Sequence, residues 1–129
     1  MTCHYIDKDN SKTIKATASN YKVDLNVATD CKTFNVVYCI TCKKCRIQYI
    51  GETWKSVSER FKEHKSYVTS KNLSKATGEH FNGPGHSVSD MSISVVEKIF
   101  SKDGFYRKER EKFYIQKFNS KFKGLNRKI

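Results

Sequence analysis

Apolar positions along this chain repeat first at period two and then at the period of a helix. Thr13-Ile14-Lys15-Ala16-Thr17 and Tyr21-Lys22-Val23-Asp24-Leu25 alternate, with Ser19-Asn20 between them. That spacing predicts a hairpin inside an otherwise polar opening segment, residues 1–33. Asn35-Val36-Val37-Tyr38-Cys39-Ile40 is a β-branched and aromatic run and predicts a strand. Gln48-Tyr49-Ile50-Gly51 predicts a second, and the short cysteine-rich connection makes the two an antiparallel hairpin. From Ser56 to Val68 the period lengthens, and Val57, Phe61, His64 and Val68 share one helical face. Ser74 to Phe81 predicts a short helix, ended by Asn82-Gly83-Pro84-Gly85. Met91 to Phe100 predicts a third strand, with Ile93, Val95 and Glu97 opposite Ser92, Ser94 and Val96. Asp103-Gly104 then precedes a last helix, Phe105 to Phe118. Its stripe holds Arg107, Glu111, Tyr114, Ile115, Phe118 and Phe122, with Phe113 on the opposite side. These elements predict an α+β fold: a small three-stranded antiparallel sheet flanked by helices over residues 34–129, with residues 1–33 a hairpin-like extension.

A length of 129 residues suits one domain with a modest core. Charge narrows the partners. There are 25 Lys and Arg against 13 Asp and Glu, a net charge of +12 spread over the whole length. Such a field attracts polyanions, of which nucleic acid is the commonest; the bland alternative is a generally basic surface. No apolar run approaches the roughly 20 residues that span a bilayer, and Met1 to Asn10 is too polar for a secretory signal. The cysteines are Cys3, Cys31, Cys39, Cys42 and Cys45. An odd, bunched set makes a poor disulfide framework and fits a reducing compartment, nuclear or cytoplasmic, with a metal site.

Tyr38 and Tyr49 lie one on each strand of the hairpin. Strand tyrosines are ordinarily half-buried packing. Gly51, however, permits close approach of backbone or a ligand. Arg60 and His64, spaced i, i+4, sit at the edge of the apolar face of the first helix and look over the sheet. Glu111 falls in the middle of an apolar stripe, where a carboxylate is costly unless paired or bound to a cation. An ion pair with Arg107 or Arg60 and a metal ligand are the two readings. Glu109, on the opposite side, reads as solvent-facing.

In chain order these residues are Val36-Val37-Tyr38, Tyr49-Ile50-Gly51-Glu52-Thr53, Arg60-Phe61-Lys62-Glu63-His64, Glu111 and Gly124-Leu125-Asn126. The string resembles the GIY-YIG nuclease family from about Cys31 to Asn126, including its spacing between the two tyrosines. The Tyr-Ile-Gly-Glu-Thr run, the Arg-x-x-x-His helix, His80-Phe81 followed by Gly85-His86, the terminal Gly-Leu-Asn and the cysteine pair between the tyrosine motifs are similar to the endonucleases of Penelope-like retroelements. Val36 stands where the family has Gly, and Phe122-Lys123 where the subgroup often has Pro. Neither change touches a reacting group.

The resemblance implies a metal-dependent DNA endonuclease. Glu111 would hold one Mg²⁺ or Mn²⁺ on the scissile phosphate, and Arg60 would stabilise charge on phosphorus. Tyr49, or else Tyr38, would serve as general base or orient the water. His64 would assist proton transfer, and Asn126 would position the metal side or the loop backbone. It further implies a single-strand nick whose 3′ hydroxyl primes reverse transcription, with a reverse transcriptase domain in the parent polypeptide. Two other classes stand beside this one: a catalytically inactive zinc-containing nucleic-acid-binding module, and a basic scaffold for RNA.

Cys42-x-x-Cys45 has zinc-knuckle spacing, and His80 and His86 flank the Asn82–Gly85 turn. Together they predict a structural Cys2His2 zinc site tying the hairpin tip to the second helix. Free thiols and surface histidines are the plain alternative. Cys39, within the strand, is expected to pack as a small apolar group.

Overall fold

The computed structural model describes residues 13–126; Cys3 and the polar start of the chain lie outside the described residues. The predicted opening hairpin is present as β1 (Thr13–Lys15) and β2 (Lys22–Asp24), paired antiparallel. The main sheet is three-stranded and antiparallel: β3 (Phe34–Cys42), β4 (Gln48–Ser56) and β5 (Met91–Lys98), in the order β4-β3-β5. Helix α1 (Val57–Thr69) follows β4 directly, and α2 (Ala76–His80) precedes a short 3-10 turn, Val88–Asp90. Helix α3 (Gly104–Phe118) follows β5, and the short α4 (Ser120–Lys123) comes after it. The α+β class and its flanked three-stranded sheet are as the sequence pattern predicts.

Strand β3 is the central strand and is covered on both faces, which is why it lacks the simple alternation of a half-exposed strand. Val36, Tyr38, Ile40 and Cys42 face α1 and pack with Val57, Phe61, Val68 and Phe81. Val37 and Cys39 face α3 and pack with Tyr114, Ile115 and Phe118. The opening hairpin covers this second layer, with Ile14, Ala16, Tyr21 and Val23 against it. Phe113, off the expected stripe, finds its place here, edge-on to Tyr21 at a centroid distance of 6.4 Å. Ser19 Oγ also donates to the Lys117 carbonyl at 2.7 Å.

Three expectations need correction. Strand β4 does not stop at Gly51 but pairs with β3 as far as Ser56, which then caps α1 by accepting from the Glu59 amide. In β5, Tyr38 pairs with Val95 and Val37 with Glu97, leaving Val96 as an extra residue. This bulge breaks the alternation. Val96 therefore packs in the α3 layer, and Glu97 turns to Tyr114 and Arg110 instead of lining up with Ile93 and Val95. Phe122 leaves the helical stripe because α3 ends at Asn119, whose backbone is left-handed (φ 54°); Phe122 is 75% exposed.

Candidate active site

Strand order makes β4 a sheet edge, with α1 on one face and α3 on the other. Side chains from both helices reach this edge. Tyr38 and Gly51 are directly paired across β3 and β4. A side chain at Gly51 would collide with the Tyr38 ring and hydroxyl, so only glycine leaves room for that ring.

Tyr38 is fully buried. Its hydroxyl accepts from Arg60 Nε at 3.0 Å and lies 2.8 Å from His64 Nε2. Since the arginine is always a donor, the tyrosine proton is assigned to the bond with His64. Nε2 of His64 is then an acceptor, and Nδ1–H donates to Thr77 Oγ1 at 2.8 Å. Burial, together with the charges of Arg60 and Lys75, lowers the His64 pKa to about 3, so the imidazole is neutral at physiological pH. Burial and neighbouring Tyr49 hold the Tyr38 pKa well above its ordinary value, although Arg60 opposes this. The pair is thus a neutral, hydrogen-bonded link between the central strand β3 and α2.

Tyr49 is less buried. Its ring packs against His64 at 5.4 Å and Tyr38 at 6.5 Å. Its hydroxyl makes no hydrogen bond to another described residue. Burial raises its pKa, Arg60 lowers it and Glu111 raises it again. Arg60 is further held by Glu63 and Tyr67, each 3.3 Å from Nη1.

Glu111 lies half-buried on α3. Burial raises its pKa to about 7, with the charge of Glu52 adding to the rise and Lys108, Arg60 and Arg107 opposing it. Neither arginine forms the ion pair considered from the sequence. Arg107 donates instead to Glu52 (3.0 Å) and to Asn35 Oδ1 (3.0 Å), while Arg60 pairs with Glu63. Among the described residues Glu111 has no hydrogen-bond or ion-pair partner. A carboxylate so placed is suited to a cation.

Asn126 is buried and clamps β4: its Oδ1 accepts from the Ile50 amide and its Nδ2 donates to the Ile50 carbonyl, both at 2.7 Å. Of the two roles considered for it, the geometry favours holding backbone, and the backbone is that of the strand beside Tyr49. The sequence reading missed Thr77, Tyr67, and the Glu52–Arg107–Asn35 brace. Glu52 stood inside a motif already singled out; Thr77 gave no signal, because it comes from a five-residue helix far along the chain.

The metal group lies at the other end of the hairpin. Ligand atoms of Cys42, Cys45, His80 and His86 all fall within 4.8 Å of one another. Cys45 Sγ is 3.5 Å from His80 Nε2, close to the edge of a tetrahedron built on ~2.0–2.3 Å ligand bonds. His86 Nδ1 engages the Pro84 carbonyl at 3.1 Å, which leaves its Nε2 buried with no partner. That orphaned nitrogen, with two thiols and a second imidazole beside it, suits a tetrahedral cation. Cys39 is buried within β3 as expected, its thiol pushed up to about 12 by burial. Cys31 is buried and disulfide-bonded, where the count had argued against bridges.

A family model described as the GIY-YIG catalytic domain matches residues 34–126. No curated protein and no solved structure gives a significant match. Among the described residues no helix is long and apolar enough to cross a membrane.

Proposed function

The chain belongs to the GIY-YIG family of nucleases, and on that premise we propose that it is a metal-dependent endonuclease that nicks one DNA strand. The observation carrying this reading is the convergence at one sheet edge of Glu111, which has no ion-pair partner among the described residues, with the Arg60–Tyr38–His64 network. Glu111 would hold a single Mg²⁺ or Mn²⁺, with water filling its remaining positions. Such an ion supplies polarisation of the phosphate and charge neutralisation.

The chain's own groups do the rest. Arg60 keeps its Nη2 donors for developing charge on phosphorus while Nε stays on Tyr38. Tyr49, with its hydroxyl open, orients or deprotonates the attacking water. Its ordinary pKa of about 10 is unfavourable for a base, and burial raises it further, with Arg60 opposing only part of that rise, so a cation at Glu111 would have to supply the rest. His64 would assist proton transfer through its hydrogen bond to the Tyr38 hydroxyl. Asn126 keeps the Tyr49 segment of β4 in place.

Cys42, Cys45, His80 and His86 would bind a structural zinc, fixing the hairpin tip to α2. Residues 34–129 would form the nuclease domain and residues 1–33 an extension, whose hairpin of β1 and β2 packs on the α3 face. The Tyr49–Thr53 and Gly124–Asn126 motifs and the cysteine pair support a Penelope-like setting. There a reverse transcriptase in the parent polypeptide would use the 3′ hydroxyl as primer.

The test is incubation with supercoiled plasmid and Mg²⁺. Conversion to nicked circles, abolished by chelator, supports the reading; no cleavage with either Mg²⁺ or Mn²⁺ overturns it.

A further inference from the structure

The end of the sheet next to Glu52 carries aromatic rings outside both packed layers. Phe34 opens β3 and Trp54 lies near the end of β4; they are 49% and 48% exposed and meet edge-on, with ring centroids 5.6 Å apart. Phe100, just past β5, is 70% exposed. Between them stands Lys98. Its Nζ lies 3.9 Å from the Phe34 ring centroid and 5.9 Å from that of Phe100, and it donates to the Phe34 carbonyl. No carboxylate pairs with Lys98 among the described residues.

This patch is continuous with the candidate active site. Trp54 lies two residues beyond Glu52 on the same edge strand, about 7 Å along it, where the pairing with β3 shifts register between Val36 and Phe34. Asn35, next to Phe34, holds Arg107, and Arg107 holds Glu52. The rings and the chemistry thus share one rigid frame.

Aromatic faces beside an unpaired cation are the combination that single-stranded nucleic acid uses, faces for bases and charge for backbone. The net charge of +12 favours a polyanionic occupant. A protein partner fits less well, because lysine is depleted from the cores of protein interfaces.

We propose that Trp54 and Phe34 form a stacking platform for one unpaired nucleobase of the strand being cut, with Lys98 meeting an adjacent phosphate. This rests on the nuclease reading above and extends it. The enzyme would prefer to cut beside an unpaired base, such as a bulge or a flap, over uninterrupted duplex.

Trp54 is the chain's one tryptophan, so its fluorescence reports on the patch alone. The experiment titrates full-length Glu111→Gln protein, in chelator, with a duplex carrying a single bulged thymine and with the fully paired duplex. The expected result is quenching of Trp54 emission by the bulged duplex and little change with the paired one. Trp54→Ala should bind the bulged duplex about 5- to 150-fold more weakly, with Trp54→Phe restoring most of the affinity. Unchanged emission at saturation, equal quenching by both duplexes, or wild-type affinity in Trp54→Ala would each overturn the platform. Loss of self-association by Trp54→Ala, with DNA affinity intact, would also overturn it and make the patch a contact between copies. Plasmid nicking by the wild-type protein is measured in parallel. Nicking without a Trp54 response refutes the platform alone, whereas absence of both nicking and DNA binding refutes the nuclease reading as well.

Discussion

The Tyr38 hydroxyl and His64 Nε2 lie 2.8 Å apart in the interior of the molecule, although the two residues come from different layers. Arg60 donates to the same hydroxyl from one helical turn before His64. The contact makes His64 both a structural and a chemical element, and it has a consequence for pH.

An imidazole whose folded pKa is lowered from 6.5 to about 3 resists protonation only while the protein is folded. The unfolded chain takes up that proton below about pH 6.5. Stability therefore falls as pH drops from about 6.5 towards 3, by up to ~1.4 kcal/mol per unit from this group. Urea denaturation across that range should show a shallower slope for His64→Gln than for wild type. Equal slopes would mean His64 is accessible to protons in the native state.

Removing the carboxylate tests the cation site. Glu111→Gln should lower the nicking rate on the order of 10³-fold, the scale of losing a central electrostatic group, with DNA affinity preserved. Glu109→Ala, which removes an exposed partner of Lys112, should cut at the wild-type rate. A similar loss in both variants would point to general damage to α3.

Gly51 faces the Tyr38 ring so closely that a methyl group there must displace it. Gly51→Ala should cost about 1–3 kcal/mol from overpacking. It should slow nicking by about 10²-fold or more, since small misplacements of reacting groups have effects of that size. Thermal melts and single-turnover cleavage measure the two separately; normal activity would show that Tyr38 need not hold its place.

Metal analysis of the purified chain should find one zinc per molecule. Binding energies of roughly 10–16 kcal/mol in finger peptides rival the whole stability of a domain, about 5–15 kcal/mol. Cys42→Ser and His86→Ala should therefore lose zinc and melt at clearly lower temperature. Cys39→Ala, although buried, should keep its zinc. Protein that folds and cuts with no zinc would remove the metal from the account.

The sequence by itself determined the elements whose signals are local. Period-two runs gave the opening hairpin, a β-branched and aromatic run gave β3, period 3.6 gave α1 and α3, and Asn82–Gly85 marked the end of α2. Cys42 with Cys45 and His80 with His86 were also legible as two ligand pairs, because spacing within a pair is a short-range constraint; it is the fold that brings the pairs together. The candidacy of Tyr38, Tyr49, Arg60, His64, Glu111 and Asn126 was legible too, through motifs in order along the chain.

Only the tertiary structure decided what those residues touch. No local pattern says that Thr77 will meet His64 Nδ1, because the contact exists only once α2 folds over α1. Likewise Arg107 was free, on the sequence, to serve Glu111. The geometry of the β3 opening turned it to Glu52 and Asn35 instead, so Arg107 does not pair with Glu111. The bulge at Val96 and the left-handed turn at Asn119 had the same character. Each is a backbone adjustment set by packing between layers, and each redirected side chains that periodicity alone had placed elsewhere.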